Sequence, residues 1–209
     1  MIIIIIPYRY TMMVPRHYSY YVANMLDMYY LPKIIAITGA KRSGKDTLAN
    51  YISARYQYEK IKLATPLKQS VRALFNFTED QIENDSKELL DLRWGITPRK
   101  AMQFFGTEMM QYKIQELLPG IERKFFVKSM INRMNPDKYF VISDMRFQHE
   151  YEEIAKLNPF IIRIDRPTLD IPTDSHPSEL EYMQIPYHIK LVNDTDTLGL
   201  IQKFETVFQ

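Results

Sequence analysis

Short apolar runs alternate with segments of helical periodicity along most of the chain. Apolar runs typical of strands in a buried sheet lie at residues 34–37, 139–142 and 160–164. Residues 58–63 alternate apolar and charged positions as a strand would, and 187–192 is a fifth predicted strand. Apolar residues three and four positions apart predict helices at 46–56, 67–75, 98–109, 120–135 and 151–157, and a last helix after Asp196 that buries Leu198, Ile201, Phe204 and Phe208. Strands that alternate with helices predict a parallel sheet covered on both faces, and therefore an α/β fold.

The stretch between the second and third predicted helices breaks this pattern. Residues 78–95 are polar and acidic with few apolar positions, so we expect a mobile, solvent-facing insertion there. The next helix has a clear start, with Thr97 as N-cap and Pro98 at the first helical position.

A phosphate-binding loop follows the first predicted strand. Gly39, four residues, Gly44 and Lys45 have the spacing of that motif, between a buried strand and a helix. Backbone N–H groups of such a loop, together with the following helix N-terminus, hold a polyphosphate, and Lys45 would reach its outer phosphates. A purely structural glycine turn is the alternative, which the strand before it and the helix after it disfavour.

Four polar residues in or after this loop are more ambiguous. Lys41 and Arg42 either line the phosphates or are solvated. Asp46 stands where a Ser or Thr usually binds magnesium, and a hydroxyl follows only at Thr47. The motif alone therefore leaves the magnesium ligand open.

Two helices carry candidate anion-binding side chains. Lys68 lies in the first turn of a predicted helix, where the dipole favours acidic side chains, so it indicates an anionic ligand or is a surface lysine. Arg99, Gln103 and Gly106 share one face of the helix after Pro98. A guanidinium and an amide on one face suit a phosphate and a nucleobase edge, and surface placement is the alternative.

Asp144 follows the third predicted strand directly. Ligands of parallel α/β folds collect at the carboxyl ends of strands, so Asp144 is placed to orient magnesium beside the phosphate loop. Arg146 either stabilises charge on a transferring phosphoryl group or pairs with Glu150, one helical turn away.

Composition and charge exclude several classes of protein. A net charge of +2 over 209 residues is too small to indicate a nucleic-acid surface. The absence of cysteine excludes disulfides, thiolate metal sites and cysteine nucleophiles, and it favours a reducing, cytoplasmic compartment. We interpret His176 as a loop residue, because no second His or Cys lies at metal-ligand spacing.

The first 32 residues differ from the rest in being rich in Ile, Tyr and Met. The apolar run at 2–6 is far shorter than the roughly 20 residues that span a bilayer, and it lacks the flanks of a signal peptide. We expect a poorly ordered extension at 1–32 and one domain at 33–209. A translated upstream region, with the working start at Met25 or Met28, and a partner-binding or membrane-surface segment are the alternatives.

Several motifs in a fixed order resemble the viral and phage deoxynucleoside monophosphate kinases. They are KRSGKDT at 41–47, ATPLK at 64–68, TPRKAMQFFGTE at 97–108, SDMRFQHE at 143–150, IRIDRP at 162–167, SHPSE at 175–179 and the ND pair at Asn193. The resemblance covers residues 33–209. It implies a P-loop three-layer α/β fold with a five-stranded parallel sheet and with substrate-binding helical and LID insertions. GKD is similar to the family's own loop, so Asp46 does not indicate a dead site.

The resemblance also implies roles for individual residues. ATP would be held by Gly39, Lys41, Arg42, Ser43, Gly44, Lys45, Asp46, Thr47 and Arg166. The monophosphate would be held by Leu67, Lys68, Arg99, Gln103, Gly106, Thr107, Phe126 and Glu150, where Phe126 replaces a tryptophan frequent in the family and keeps an aromatic surface. Catalysis would use Lys45, Arg146 and Asp144, and Mg²⁺ would be bound by Thr47 and Asp144.

The function implied is transfer of the γ-phosphoryl group of ATP to a deoxynucleoside monophosphate, for dNTP and DNA synthesis. The partners would be these small molecules and neither nucleic acid nor membrane, with a homodimer left open. The compartment would be the cytoplasm, that of a host cell if the source is viral. The alternatives are another P-loop small-molecule kinase, of the dephospho-coenzyme A or phosphomevalonate type, and a nonenzymatic nucleotide-binding switch.

Overall fold

The computed structural model describes residues 2–6, 10–14, 31–168 and 180–208. It separates into two compact units, Met1–Lys33 and Ile34–Gln209. In the first unit, strand β1 (Ile2–Ile6) pairs antiparallel with β2 (Tyr10–Val14). The expected low order of residues 1–32 and the domain boundary at 33 stay predictions. His176 and the motif at 175–179 lie outside the described residues.

The second unit is built on a five-stranded parallel sheet with strand order β4-β5-β3-β6-β7. Its strands are β3 (Ile34–Gly39), β4 (Glu59–Ile61), β5 (Phe140–Ile142), β6 (Phe160–Asp165) and β7 (Ile189–Val192). All of β3 is buried, as its apolar sequence predicts for a central strand. The five predicted strands and their parallel arrangement are therefore confirmed.

Helices cover both faces of this sheet. They are α1 (Lys45–Tyr56), α2 (Thr65–Phe75), α3 (Glu79–Glu83), α4 (Pro98–Gln103), α5 (Phe125–Arg133), α6 (Gln148–Ile154) and α7 (Thr197–Phe208). Ala36 packs in one buried cluster with Met130 of α5 and Ile154 of α6. On α1 and α7, the rings of Tyr51 and Phe204 meet edge to face at 6.3 Å between centroids. The α/β class is thus confirmed. Within the described residues, none of the helices is both long and apolar enough to cross a membrane.

Most of residues 78–95 are exposed, as predicted for a solvent-facing insertion, although the stretch is folded into short helices. Its mobility stays a prediction. Thr78 and Gln81 form a capping box that starts α3, and a 3₁₀ helix follows at Asp85–Glu88. Ile82 is buried and packs with Val71 of α2. Asp91 is buried as well and accepts hydrogen bonds from the side chains of Gln81 and Arg93.

Two expectations about helices are wrong. The predicted helix 98–109 is an α-helix only to Gln103, and a π-helix continues it at Phe104–Tyr112. In α7 the buried residues are Leu200 and Phe204, four positions apart, whereas Leu198 is 61% exposed. The side chain of Phe208 is not among those described.

Candidate active site

One large cavity of about 1070 Å³ opens at the carboxyl ends of the strands. All of the predicted site residues except Gly39 and Ser43 line it. They are Lys41, Arg42, Gly44, Lys45, Asp46, Thr47, Leu67, Lys68, Arg99, Gln103, Gly106, Thr107, Phe126, Asp144, Arg146, Glu150 and Arg166. The fold therefore brings side chains from widely separated motifs to one place.

Gly39 and Ser43 shape the phosphate loop from behind. Gly39 has φ +144°, and a Cβ there would lie 2.4 Å from the carbonyl oxygen of Ile164. The carbonyl of Ser43 accepts a hydrogen bond from the side-chain amide of Asn193 at 2.8 Å. That amide nitrogen would also lie 2.7 Å from a Cβ at Gly44, whose φ is +108°. Close contacts and a positive φ therefore require glycine at residues 39 and 44.

Lys45 lies deep in the loop and is only 5% exposed. Its ammonium group donates hydrogen bonds to the carbonyl oxygens of Gly39, at 2.8 Å, and of Ala40. At the rim, Arg166 donates to the carbonyl oxygen of Arg42 at 3.1 Å, and Arg42 has a positive φ of 64°. Backbone carbonyls of the loop thus hold Lys45 inside it and Arg166 at its rim.

Four of the predicted phosphate-binding cations are paired with carboxylates from one stretch, residues 83–88. The pairs are Lys41 with Glu88 at 3.8 Å, Arg42 with Asp85 at 3.1 Å, Arg99 with Glu88 at 2.6 Å and Lys68 with Glu83 at 2.5 Å. These carboxylates are contacts that the sequence analysis missed. They partly neutralise the charge of these four cations at the cavity.

Asp144 is held by the start of α2. Its two carboxylate oxygens accept hydrogen bonds from the backbone N–H groups of Leu63, at 2.9 Å, and of Ala64, at 3.0 Å. Burial raises the pKa of Asp144, while these two hydrogen bonds and the charges of Lys62 and Arg146 oppose that rise. The carboxylate is fixed in direction at the cavity wall.

A magnesium ion complexed with a nucleotide fits the donors that are present. Thr47 offers a hydroxyl and Asp144 a carboxylate, both on the cavity wall with Lys45. Across the described residues there is no group of three His, Cys, Asp or Glu side chains that could hold a metal by itself. Magnesium is commonly bound through one or two protein oxygens together with substrate phosphates, so this sparse set is suitable.

Glu150 binds the backbone at the start of α6. Its Oε2 atom accepts hydrogen bonds from the N–H groups of Arg146, at 2.8 Å, and of Phe147, at 3.0 Å. Glu150 therefore positions the main chain at Arg146. Burial raises the pKa of Glu150 to about 8, although the two backbone hydrogen bonds and the charge of Arg146 oppose this.

This raised pKa predicts a dependence of stability on pH. The carboxyl of Glu150 ionises near 4.5 when unfolded and near 8 when folded, so the free energy of unfolding should decrease as the pH rises between those values. In Glu150→Gln, which keeps an acceptor oxygen but does not ionise, that decrease should be smaller. Denaturant unfolding from pH 4.5 to 8 measures it, with the surface variant Glu116→Gln as control. Parallel curves for wild type and Glu150→Gln would contradict the prediction.

The far end of the cavity carries amide and aromatic side chains. Gln111 on the π-helix is buried and lines the cavity, and its Oε1 accepts a hydrogen bond from Nε of Arg123 at 2.9 Å. Phe126 and Phe147 also line this cavity. Amides and aromatic faces are the groups that hydrogen-bond and stack with nucleobases. A place for Gln111 in the cavity does not follow from the α-helical period, because Gln111 lies in the π-helix.

Comparisons with known proteins agree with this arrangement. A family model described as "Deoxynucleotide monophosphate kinase" matches residues 33–91 and 76–203. A protein of Acanthamoeba polyphaga mimivirus, described as "Putative deoxynucleotide monophosphate kinase", is 37% identical over 171 residues, which are 77% of this chain and 88% of the viral protein.

Similar solved structures include two kinases. Dephospho-CoA kinase from Campylobacter jejuni is 13% identical with a TM-score of 0.47, over 86% of this chain and 96% of that one. Shikimate kinase from Aquifex aeolicus is 15% identical with a TM-score of 0.43, over 83% of this chain and 94% of that one.

Proposed function

Because the chain belongs to the deoxynucleotide monophosphate kinase family, we propose that it transfers the γ-phosphoryl group of ATP to a deoxynucleoside monophosphate. The products are ADP and a deoxynucleoside diphosphate, which a further kinase would convert to the triphosphate used in DNA synthesis. The observation that carries the proposal is that the phosphate loop and the α4 side chains Arg99 and Gln103 line the same cavity. Its volume of about 1070 Å³ is at the upper end of ordinary ligand pockets, which suits two nucleotides side by side.

In-line phosphoryl transfer requires positioning and charge neutralisation more than covalent chemistry. Lys45 holds the outer phosphates of ATP, and Arg146 stabilises the charge that develops on the transferring group. Lys68 and Arg99 hold the phosphate of the acceptor. Bound at Thr47 and Asp144, Mg²⁺ supplies further neutralisation of phosphate charge. A general base is not needed, because the attacking phosphate oxygen is already ionised.

The remaining predicted residues position the two nucleotides. Gly44 and Ser43 turn loop N–H groups toward the ATP phosphates, with Lys41, Arg42 and Arg166 at the rim. Gln103 and Phe126 contact the acceptor base by hydrogen bonding and stacking. Gly106 allows Leu67 to approach, because a Cβ at residue 106 would lie 2.8 Å from Cδ2 of Leu67.

A coupled assay of ADP release tests this function. ATP, Mg²⁺ and each of the four deoxynucleoside monophosphates are supplied in turn, to the full chain and to a shortened chain that starts at Met28. ADP formation that depends on one or more monophosphates is the expected result, and it also gives the range of bases accepted. ATP binding without monophosphate-dependent ADP would reject the proposal and favour another acceptor or a nucleotide-binding switch.

The acidic stretch 83–88 should compete with nucleotide phosphates for the same cations. Glu88 contacts both Lys41 and Arg99, so Glu88→Gln should lower the Kd for ATP and for the monophosphate at low ionic strength. Exposed ion pairs are weak, so we expect about a two- to fivefold decrease, which salt should diminish. Calorimetric titration measures it, with Glu116→Gln as a charge-matched control. Weaker binding by Glu88→Gln would show that this carboxylate assists the nucleotide instead.

A further inference from the structure

Two lysines at the end of β4 share one carboxylate partner. Lys60 and Lys62 flank Ile61, so strand alternation directs both to the same side, away from the buried Ile61 and Leu63. The Nζ atoms lie 2.8 Å and 2.7 Å from Oδ1 of Asp46. One carboxylate of the phosphate loop therefore binds two ammonium groups.

The Asp46 carboxylate is also held by a hydroxyl group, that of Ser143. Ser143 donates a hydrogen bond from its hydroxyl to the same Oδ1 atom of Asp46 at 3.1 Å. One oxygen of Asp46 is therefore held by three donors, from Lys60, Lys62 and Ser143.

The two lysines differ in what else they face. Lys60 donates a second hydrogen bond to the side-chain oxygen of Asn50 at 2.8 Å, and it does not line the cavity. Lys62 lines the cavity together with Lys45. An ammonium group has three N–H donors, of which Asp46 needs one. Lys62 is thus held at the cavity wall by Asp46, with donors left for an anion.

The position of Lys62 in the chain indicates which anion it meets. Lys62 lies directly before the Leu63–Ala64 turn that is bound by Asp144 and that opens α2. The same helix carries Lys68, a predicted ligand of the acceptor phosphate, whereas the ATP phosphates have the loop N–H groups and Lys45. Lys62 therefore contacts the phosphate loop through Asp46 and precedes the helix that carries Lys68.

We propose that Lys62 is a further substrate-binding residue, which hydrogen-bonds the phosphate of the acceptor nucleotide, and that Asp46 is its positioning residue. This inference rests on the proposed function and adds a residue to it. It also gives Asp46 a purpose at the position where a Ser or Thr usually binds magnesium. The loop carboxylate orients a cation there, and the magnesium ligand is supplied elsewhere.

Lys62→Met and Lys60→Met form a matched pair of variants. Both remove one positive charge from the same partner on the same strand, and only the first removes a cavity cation. Loss of a charge-assisted hydrogen bond predicts about a 10- to 100-fold decrease of kcat/KM for the monophosphate in Lys62→Met, through its KM. In Lys60→Met the decrease of kcat/KM should stay below about threefold. Asp46 still holds Lys62 in this variant, and solvent screens the lost charge of Lys60 from the substrate. The KM for ATP should be unchanged in both variants.

Two additional measurements separate a substrate contact from a structural one. Lys62→Arg, which keeps the charge, should recover part of the lost kcat/KM. Asp46→Asn should lower kcat/KM when Lys62 is present but should add little to the effect of Lys62→Met, because a positioning residue needs the side chain that it positions. Thermal unfolding of every variant controls for folding, and Lys62→Gln replaces Lys62→Met if the latter does not fold.

Equal losses in Lys60→Met and Lys62→Met would overturn the inference, since both lysines would then only balance the charge of Asp46. A rise in the KM for ATP alone would overturn the assignment to the acceptor. Wild-type protein without monophosphate-dependent ADP release would overturn the proposed function itself, and this inference with it. Activity in the wild type with unequal losses in the lysine pair supports both.

Discussion

Lys45→Ala is expected to lower kcat for phosphoryl transfer by about 100- to 1000-fold, the cost of removing one pre-placed donor from a developing charge. Lys45 is buried in the loop, and its ammonium group already rests on the carbonyl oxygens of Gly39 and Ala40. The side chain therefore needs little rearrangement to meet a phosphate. Steady-state ADP release measures the effect, and kcat should fall far more than the KM for the monophosphate.

Folding must be separated from catalysis in this variant. Lys156 offers a control, since it is an exposed lysine that pairs with Glu153 at 2.7 Å, outside the cavity. Lys156→Ala should keep kcat within about twofold, as expected of a surface substitution away from the site. Full activity in folded Lys45→Ala protein would reject the role of Lys45 in phosphoryl transfer.

Arg146→Ala is expected to lower kcat by about a thousandfold, because an arginine that contacts the transferring phosphoryl group has an effect of that order. The main chain at residue 146 is held by Glu150 through its N–H group, so the substitution leaves that hydrogen bond in place. The loss should therefore appear equally in kcat and in kcat/KM. Arg146→Lys should recover only part, since a lysine lacks the planar pair of donors.

Arg55→Ala is the control for Arg146→Ala. Arg55 lies in the last turn of α1 over the ring of Tyr56, and it does not line the cavity. Thermal unfolding of both variants shows whether stability differs. Unchanged turnover in Arg146→Ala would mean that other cations, such as Lys45, stabilise the transferring group alone.

The strands could be predicted because a buried parallel sheet leaves a simple pattern. Every residue of β3 is apolar or small and buried, so the strand can be recognised without knowing which side chains face which side of the sheet. The phosphate loop could be predicted for a similar reason, since its glycines are required locally by positive φ angles at Gly39 and Gly44. Signals of this kind are contained in a few consecutive residues.

Gln111 could not be found from periodicity. In the π-helix, hydrogen bonds join residues five apart, so Gly106 and Gln111 come to one face and both are buried. The α-helical period instead selects Met109, which is 38% exposed. The sequence of residues 104–112 contains no feature that predicts a π-helix in place of an α-helix.

Ion pairs between residues far apart in the sequence could not be predicted either. Arg42 and Asp85 are 43 residues apart and meet only because α3 and the following 3₁₀ helix fold against the cavity. The acidic composition of residues 78–95 indicates exposure to solvent, and several of the same carboxylates also pair with cations of the cavity. Sequence shows which charges exist, and tertiary structure decides which of them meet.

The side-chain amide of Asn193 joins the phosphate loop to the turn between β7 and α7. Its hydrogen bond to the carbonyl of Ser43 and its position beside Gly44 belong to the fold itself. Fixing the backbone of one residue costs about 1–2 kcal/mol of conformational entropy at room temperature. Since folding already fixes this loop, that entropy is lost before a nucleotide arrives, and the free energy of binding retains more of what the phosphate contacts provide.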